Sequence, residues 1–170
     1  MTKLIGLMGL AGSGKDTAAL ALLGLKYKRG ALAGRVKWLA CQVGWDGHKD
    51  ERGRKFLQDI GSAVRAYNQD YFVDWLERFS VVRQTQRVVI TDIRFQNEAD
   101  WVKSKGGIVI RIVRPEIICG NHESELKQSE VSADYDVVND STVEALHEKI
   151  LQIATIYDQA QNTNAAIPSV

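Results

Sequence analysis

The stretch that most constrains the fold of this chain is a glycine-rich segment at residues 9–17, with the sequence GLAGSGKDT. It follows a short apolar run at residues 4–8 and precedes an alanine- and leucine-rich segment at residues 18–25. A strand, a glycine loop with G-x4-G-K spacing and a helix, in that order, are typical of a phosphate-binding loop. Glycines let the backbone approach a ligand closely, and the helix start offers unpaired N–H groups. We therefore expect this segment to hold phosphates, with Lys15 adding a positive charge.

The residue after Lys15 departs from the usual pattern, because Asp16 stands where serine or threonine is expected. In the usual loop, the hydroxyl at this position ligates Mg²⁺. A carboxylate suits a helix N-terminus but repels phosphate unless a cation lies between them. We predict that Asp16 faces Mg²⁺, directly or through water, and that Thr17 bonds a phosphate oxygen. The alternative is that Asp16 is only a helix N-terminal carboxylate.

The composition excludes several classes of protein. The 170 residues carry 22 Lys and Arg against 21 Asp and Glu, a net charge of +1, so no global basic field favours nucleic acid. Cys41 and Cys119 lie far apart without metal-site or disulfide-scaffold spacing, which is typical of reduced thiols in a cytoplasmic protein. No run approaches the roughly 20 apolar residues that span a bilayer, and no signal-peptide pattern is present. We expect a cytoplasmic protein with no membrane partner.

Hydrophobic patterns predict alternating strands and helices. The predicted strands cover residues 3–8, 35–40, 87–92, 108–113 and 134–140. The predicted helices cover residues 15–28, 54–79, 99–105 and 142–157, with a polar loop at 42–53. This order indicates an α/β fold with a five-stranded, mostly parallel sheet and helices on both faces. Ligands of such sheets bind beyond the carboxyl ends of the strands.

A second candidate site lies at the end of the strand predicted at residues 87–92. An apolar run that ends in an acid, downstream of a phosphate loop, delivers a carboxylate to the metal region. Asp92 is that acid, and Arg94 lies two residues beyond it at the mouth of the expected cleft. We predict that the phosphate loop, Asp92, Arg94 and Arg114 converge there.

Four motifs together resemble those of the deoxynucleoside monophosphate kinases of tailed bacteriophages. They are GSGKDT at residues 12–17, WDG with KD at 45–50, R-x-x-LQ-x-x-G-x-x-x-R at 54–65, and TDIRF-x-NE at 91–98. The resemblance covers about residues 3–157. It implies a P-loop NTPase fold within one kinase domain, residues 1–160, followed by a loose tail at 161–170. It also implies nucleoside monophosphate-binding helices at about 42–80 and a small lid at about 114–133.

The resemblance implies ATP-dependent phosphorylation of deoxynucleoside 5′-monophosphates with Mg²⁺. The residues implied for ATP binding are Leu10, Ala11, Gly12, Ser13, Gly14, Lys15, Asp16, Thr17 and Arg114. Those implied for the acceptor nucleotide are Lys37, Trp45, Arg54, Gln58, Arg65, Asn68, Trp75, Asp92 and Arg94. Catalysis would depend on Lys15, Asp92 and Arg94, and the metal would lie between Asp16 and Asp92.

Other readings stay open at this point. Another small-molecule P-loop kinase, such as a dephospho-coenzyme A kinase, would show the same loop. A nucleotide-dependent switch or ATPase would hydrolyse ATP without an acceptor, but a second phosphate pocket at Arg54, Gln58 and Arg65 argues against it. A non-catalytic nucleotide-binding module is a further alternative. The aromatic residues of the segment at 67–75 could serve a homodimer, which the sequence does not decide.

Overall fold

The structure is a computed structural model that describes residues 2–79, 86–117, 128 and 130–163. Within these residues five strands form one sheet in the order β2-β3-β1-β4-β5, and every neighbouring pair is parallel. The strands are β1 (Lys3–Met8), β2 (Lys28–Gly30), β3 (Arg87–Ile93), β4 (Ile108–Val113) and β5 (Tyr135–Val138). The helices are α1 (Lys15–Gly24), α2 (Ala33–Gln42), α3 (Glu51–Tyr67), α4 (Tyr71–Phe79), α5 (Gln96–Ser104) and α6 (Val143–Thr163).

Helices cover both faces of the sheet, as predicted. The three central strands are almost wholly buried, which is why their sequences are nearly continuous apolar runs. One face packs against α1 and α6, where Leu22, Ile150 and Tyr157 are buried. The other packs against α2, α4 and α5, where Phe72 and Val102 are buried. The predicted α/β class is confirmed, and the sheet is parallel throughout the described strands.

The predicted strand at residues 35–40 is wrong, because these residues belong to helix α2. Val36 and Ala40 are the buried pair of this helix, and their spacing of four residues is helical. The edge strand is instead β2, which begins at Lys28, the predicted end of the first helix. Helix α1 ends at Gly24, and Lys26 adopts a positive φ of 65° as the chain turns into β2. A three-residue edge strand leaves too short a pattern to be found in the sequence.

Several predicted boundaries also shift. Helix α3 begins at Glu51, because the side chain of Asp50 caps it by accepting a hydrogen bond from the Gly53 N–H at 2.7 Å. The helices predicted at 54–79 are α3 and α4, which are separated by a turn in which Asn68 Oδ1 accepts from the Asp70 N–H at 3.1 Å. Helix α6 continues to Thr163, beyond its predicted end, because Tyr157 and Ala160 are buried.

Some predictions fall on residues that the structure does not describe. Cys41 is a free, exposed thiol, whereas Cys119 lies outside the described residues. Most of the predicted lid at 114–133 and of the predicted tail at 161–170 also lies outside them, so both stay predictions. Among the helices that the structure describes, none combines the length and hydrophobicity needed to cross a membrane.

Candidate active site

The glycine-rich segment forms a tight loop between β1 and α1. Gly9, Gly12 and Gly14 have φ values of 139°, 80° and 105°, in the region that favours glycine. A Cβ on Gly9 would lie 2.4 Å from the Ile112 carbonyl oxygen, so a larger residue would displace the backbone of β4. The Lys15 ammonium group donates to the Gly9 and Leu10 carbonyl oxygens at 2.6 and 2.7 Å. Carbonyl oxygens of the loop therefore hold the Lys15 ammonium group in place beside the loop.

The side chain of Ser13 supplies a polar group for a ligand of this loop. Ser13 is 1% exposed, and in the described structure its Oγ has no hydrogen-bond partner. Buried hydroxyl groups are nearly always paired, so an unpaired one inside an anion cradle is a natural ligand donor. The loop residues thus fit the phosphates of a nucleotide.

Asn139, which follows β5, forms a hydrogen bond to the backbone of the phosphate loop. Its Nδ2 donates to the Ser13 carbonyl oxygen at 2.8 Å, and its backbone N–H donates to the Val113 carbonyl oxygen at 2.7 Å. A Cβ on Gly14 would lie 2.5 Å from this Nδ2, which explains why glycine is needed there. Asn139 is absent from the predicted site residues. In the sequence, Asn139 could have been noticed only as an asparagine that comes just before the last predicted helix.

Asp16 forms an ion pair with Arg29, which sequence reasoning did not include among the site residues. The Arg29 guanidinium contacts Asp16 Oδ1 through Nη2, and its Nε donates to Thr91 Oγ1 at 3.3 Å. Arg29 thereby joins the start of α1 to the end of β3. It was missed because β2 itself was missed. The backbone oxygen of Thr17 lies 2.9 Å from His147 Nε2 on α6.

Asp92 lies at the carboxyl end of β3 and organises the start of α2. Its two oxygens accept hydrogen bonds from the backbone N–H groups of Leu32 at 2.8 Å and Ala33 at 2.7 Å. Burial raises the pKa of the Asp92 carboxyl above its ordinary value, while these two N–H groups, Arg94 and Lys37 oppose the rise. Asp92 is thus a helix cap in this structure, and its predicted catalytic role stays a prediction.

Asp16 and Asp92 are not part of a ready-made set of metal ligands among the described residues. The described residues hold no group of three or more His, Cys, Asp or Glu side chains that could bind a metal ion. Mg²⁺ commonly uses only one or two carboxylates together with substrate phosphates. The chemistry of the two acids is compatible with that mode, and their metal role stays a prediction.

Glu98 is a buried acid that holds the segment carrying Arg94. It accepts hydrogen bonds from the backbone N–H groups of Arg94 at 2.8 Å and Phe95 at 3.2 Å. It also pairs with the guanidinium of Arg65 at 3.1 Å. That guanidinium lies 4.3 Å from the ring centre of Phe95 and 4.6 Å from that of Phe72. The structure therefore gives Arg65 intramolecular partners, and its predicted contact with the acceptor stays a prediction.

Several positively charged side chains lie near Asp92. Burial and the neighbouring ammonium group of Lys49 lower the pKa of Lys37, whereas Asp92 acts in the opposite direction and Arg29 adds to the lowering. These groups are therefore close enough to act on one another. Cations that destabilise each other's charge are suited to bind an anion. Lys37 was a predicted substrate residue, but Lys49 was not.

Two further predicted residues line an open groove at the start of α3. The groove has a volume of about 470 Å³ and is lined by Lys49, Asp50, Glu51, Arg54, Lys55 and Gln58. The Nε of Arg54 donates to the Lys49 carbonyl oxygen at 2.9 Å. In the turn beside it, Trp45 Nε1 donates to the His48 carbonyl oxygen at 3.1 Å. The structure thus brings Arg54 and Gln58 together, next to the cluster of positive charge.

The remaining predicted residues have partners within the protein. Trp75 packs near the guanidinium of Arg35, at 5.5 Å from its ring centre, and this guanidinium also stacks on Trp38 at 3.9 Å. Asn68 terminates α3 and caps the following turn. Arg114 pairs with Glu116 at 3.7 Å, at the edge of the described residues. Their predicted ligand contacts stay predictions.

The strand order, the phosphate loop after β1 and the acid at the carboxyl end of β3 together give the fold that P-loop small-molecule kinases share. The dephospho-CoA kinase of Campylobacter jejuni is similar with a TM-score of 0.57 and 13% identity, over 95% of this chain and 100% of that one. The shikimate kinase of Aquifex aeolicus is similar with a TM-score of 0.51 and 17% identity, over 89% and 96%. At these identities the likeness concerns the fold alone.

Sequence comparison gives the family. The model of the family described as deoxynucleotide monophosphate kinase matches residues 45–150. An Acanthamoeba polyphaga mimivirus protein named "Putative deoxynucleotide monophosphate kinase" is 33% identical over 196 residues, which cover 95% of this chain and 99% of that protein. The chain belongs to the deoxynucleotide monophosphate kinase family. The predicted resemblance is confirmed, and the family implies nucleotide substrates and the use of ATP.

Proposed function

We propose that this protein transfers the γ-phosphoryl group of ATP to the 5′-phosphate of a deoxynucleoside monophosphate, with a deoxynucleoside diphosphate and ADP as products. One observation carries the proposal. The phosphate loop and a second cationic cluster of Lys37 and Lys49 lie at the same end of the sheet, around Asp92. A kinase that joins two phosphorylated substrates needs two neighbouring anion sites, whereas an ATPase needs only one.

The donor side consists of the loop amides, Ser13 Oγ and the Lys15 ammonium group. These groups would hold the β- and γ-phosphates of ATP through charge-assisted hydrogen bonds. Asp16 and Asp92 would hold Mg²⁺, in part through water, and the ion would neutralise charge on the β- and γ-oxygens. Asn139 keeps the loop in shape through its bond to the Ser13 carbonyl oxygen.

The acceptor side consists of Lys37, Lys49 and Arg54. These cations would hold the acceptor's phosphate, while Arg94 at the end of β3 would lie between the two phosphate groups. Phosphoryl transfer proceeds through a loose transition state, so positioning and charge neutralisation provide most of the catalysis. The attacking oxygen of a monophosphate is already ionised, so the site needs no strong base.

A coupled assay of ADP release tests the proposal. ATP is supplied with each common deoxynucleoside and ribonucleoside monophosphate, and with dephospho-coenzyme A as the comparison acceptor, since the fold is shared. We expect ADP release that depends on a deoxynucleoside monophosphate. Release that depends on dephospho-coenzyme A, or that proceeds without an acceptor, would contradict the proposal.

The variant Lys15→Ala tests the role of the phosphate loop. We expect turnover to fall at least about hundredfold in a folded protein, the scale of losing one electrostatic stabiliser of the transition state. Lys28→Ala is the matched control, because Lys28 is exposed at the start of β2, away from the carboxyl ends of the strands. Near-normal turnover of Lys15→Ala would remove the loop from the mechanism.

A further inference from the structure

Arg29 makes a contact that the proposed reaction does not by itself require. Its guanidinium joins Asp16, at the start of α1, to Thr91, next to Asp92. The parallel pairing of β2 with β3 places Arg29 beside Val89, which sets the reach of its side chain along the edge of the site. The sheet thus fixes the backbone position of Arg29, and the contact with Asp16 lies where the phosphates of the nucleotide would approach.

The position of Asp16 creates an electrostatic problem for a phosphate loop. A hydroxyl at this position is neutral, whereas a carboxylate there adds a negative charge beside the bound triphosphate. The start of α1 offsets part of this charge, since the helix N-terminus carries about half a positive charge. Arg29 supplies a full positive charge as well, because its guanidinium contacts the carboxylate directly.

We propose that Arg29 is the counter-charge that makes an acid tolerable in this phosphate loop, so that Arg29 and Asp16 act as a neutral pair toward ATP when no Mg²⁺ is bound. The inference rests on the proposed nucleotide-kinase function. Arg29 is a positioning residue in this account, and it acts on the nucleotide through Asp16. The pair takes over the place that a neutral hydroxyl occupies in the usual loop.

The exposure of the pair indicates that it matters for a ligand more than for stability. The Asp16 side chain is 78% exposed and that of Arg29 is 49% exposed. Ion pairs this accessible to water contribute little to folding. When a triphosphate excludes water from the loop, the same charges interact more strongly. Loss of Arg29 should therefore leave the fold intact and weaken nucleotide binding.

A double-mutant cycle tests the inference. ATP affinity is measured by calorimetry for the full chain, without an acceptor and with a chelator, so that no Mg²⁺ lies between Asp16 and the phosphates. Arg29→Gln should weaken ATP binding about tenfold, because an unpaired carboxylate then faces the phosphates. Arg29→Lys, which keeps the charge, should stay within about threefold of the wild type. The double variant Arg29→Gln with Asp16→Asn should recover most of the loss.

The outcomes separate the inference from the proposed function. A double variant as weak as Arg29→Gln alone would mean that Arg29 acts on the phosphates directly, which overturns the inference. An Arg29→Gln variant with wild-type affinity also overturns it. Thermal unfolding of each variant checks that the fold is kept. A wild-type chain that binds ATP but phosphorylates no nucleotide refutes the proposed function. In that case the double-mutant cycle still measures the coupling of Arg29 with Asp16 in ATP binding. Failure of the wild type to bind ATP overturns both.

Discussion

Replacement of Arg65 by methionine should destabilise the protein in a pH-dependent way. Arg65 of α3 pairs with Glu98 of α5, whose side chain is only 2% exposed, and its guanidinium packs against the rings of Phe72 and Phe95. Methionine fills much of the same volume and keeps a favourable contact with the rings. The substitution therefore removes mainly the positive charge and leaves the buried carboxylate without its ion-pair partner.

The expected loss follows from the burial of the pair. Removal of one partner of a buried ion pair costs about 3–5 kcal/mol. The Arg65 side chain is 20% exposed, so water screens part of the interaction, and the lower end of this range applies. We expect a loss of about 3 kcal/mol in the free energy of unfolding near pH 8.

The sign of the pH dependence follows from the pKa of Glu98. Burial raises this pKa above the ordinary value of 4.5, Asp92 adds to the rise, and Arg65 opposes it. The pKa therefore rises further in the variant. A raised folded-state pKa gives stability that is complete below the unfolded pKa and is lost as pH rises through the folded pKa. The variant should thus lose little near pH 5, about 1 kcal/mol from the lost cation–π interaction of the guanidinium with the rings, and more as pH rises.

Urea unfolding at about pH 5 and about pH 8 measures both values by linear extrapolation. Arg52→Met is the matched control, since Arg52 lies exposed on the same helix and its loss should change stability by less than about 0.5 kcal/mol. An equal loss at both pH values, or a loss below about 1 kcal/mol near pH 8, would refute the reasoning.

Two further substitutions test packing around the site and in the core. Gly53→Ala should destabilise the protein, although alanine normally favours a helix by about 1 kcal/mol, because its Cβ would lie 2.0 Å from the His48 carbonyl oxygen. Thermal unfolding should show the opposite sign for Gly34→Ala in α2, where a Cβ meets nothing within 4 Å. Tyr157→Phe should lose about 1–3 kcal/mol in urea unfolding, because its buried hydroxyl bonds to the backbone of β1 and of the turn before β4. Tyr67→Phe, at a side chain 95% exposed, should change little, and equal effects of the two tyrosine substitutions would contradict this account.

Features that depend on local sequence were predictable. The phosphate loop is one, because the positive φ values of Gly9, Gly12 and Gly14 and the flanking strand and helix follow from neighbouring residues. The strands β1, β3 and β4 are another, since a strand buried on both faces must be apolar along its length. These elements fixed the α/β class, and the resemblance of their motifs pointed to the family that sequence comparison confirms.

The partners within the site were decided only by the tertiary structure. The short edge strand β2 owes its conformation to its pairing with β3, and without it neither α2 nor Arg29 could be placed correctly. The pair of Arg65 with Glu98 spans 33 residues of sequence, and the contact of Arg29 with Asp16 spans 13. The charge of a side chain can be read from the sequence. Its ion-pair partner depends on which strands and helices the fold brings together. For that reason the sequence could identify Asp16 as unusual, and only the fold could show that Arg29 is its partner.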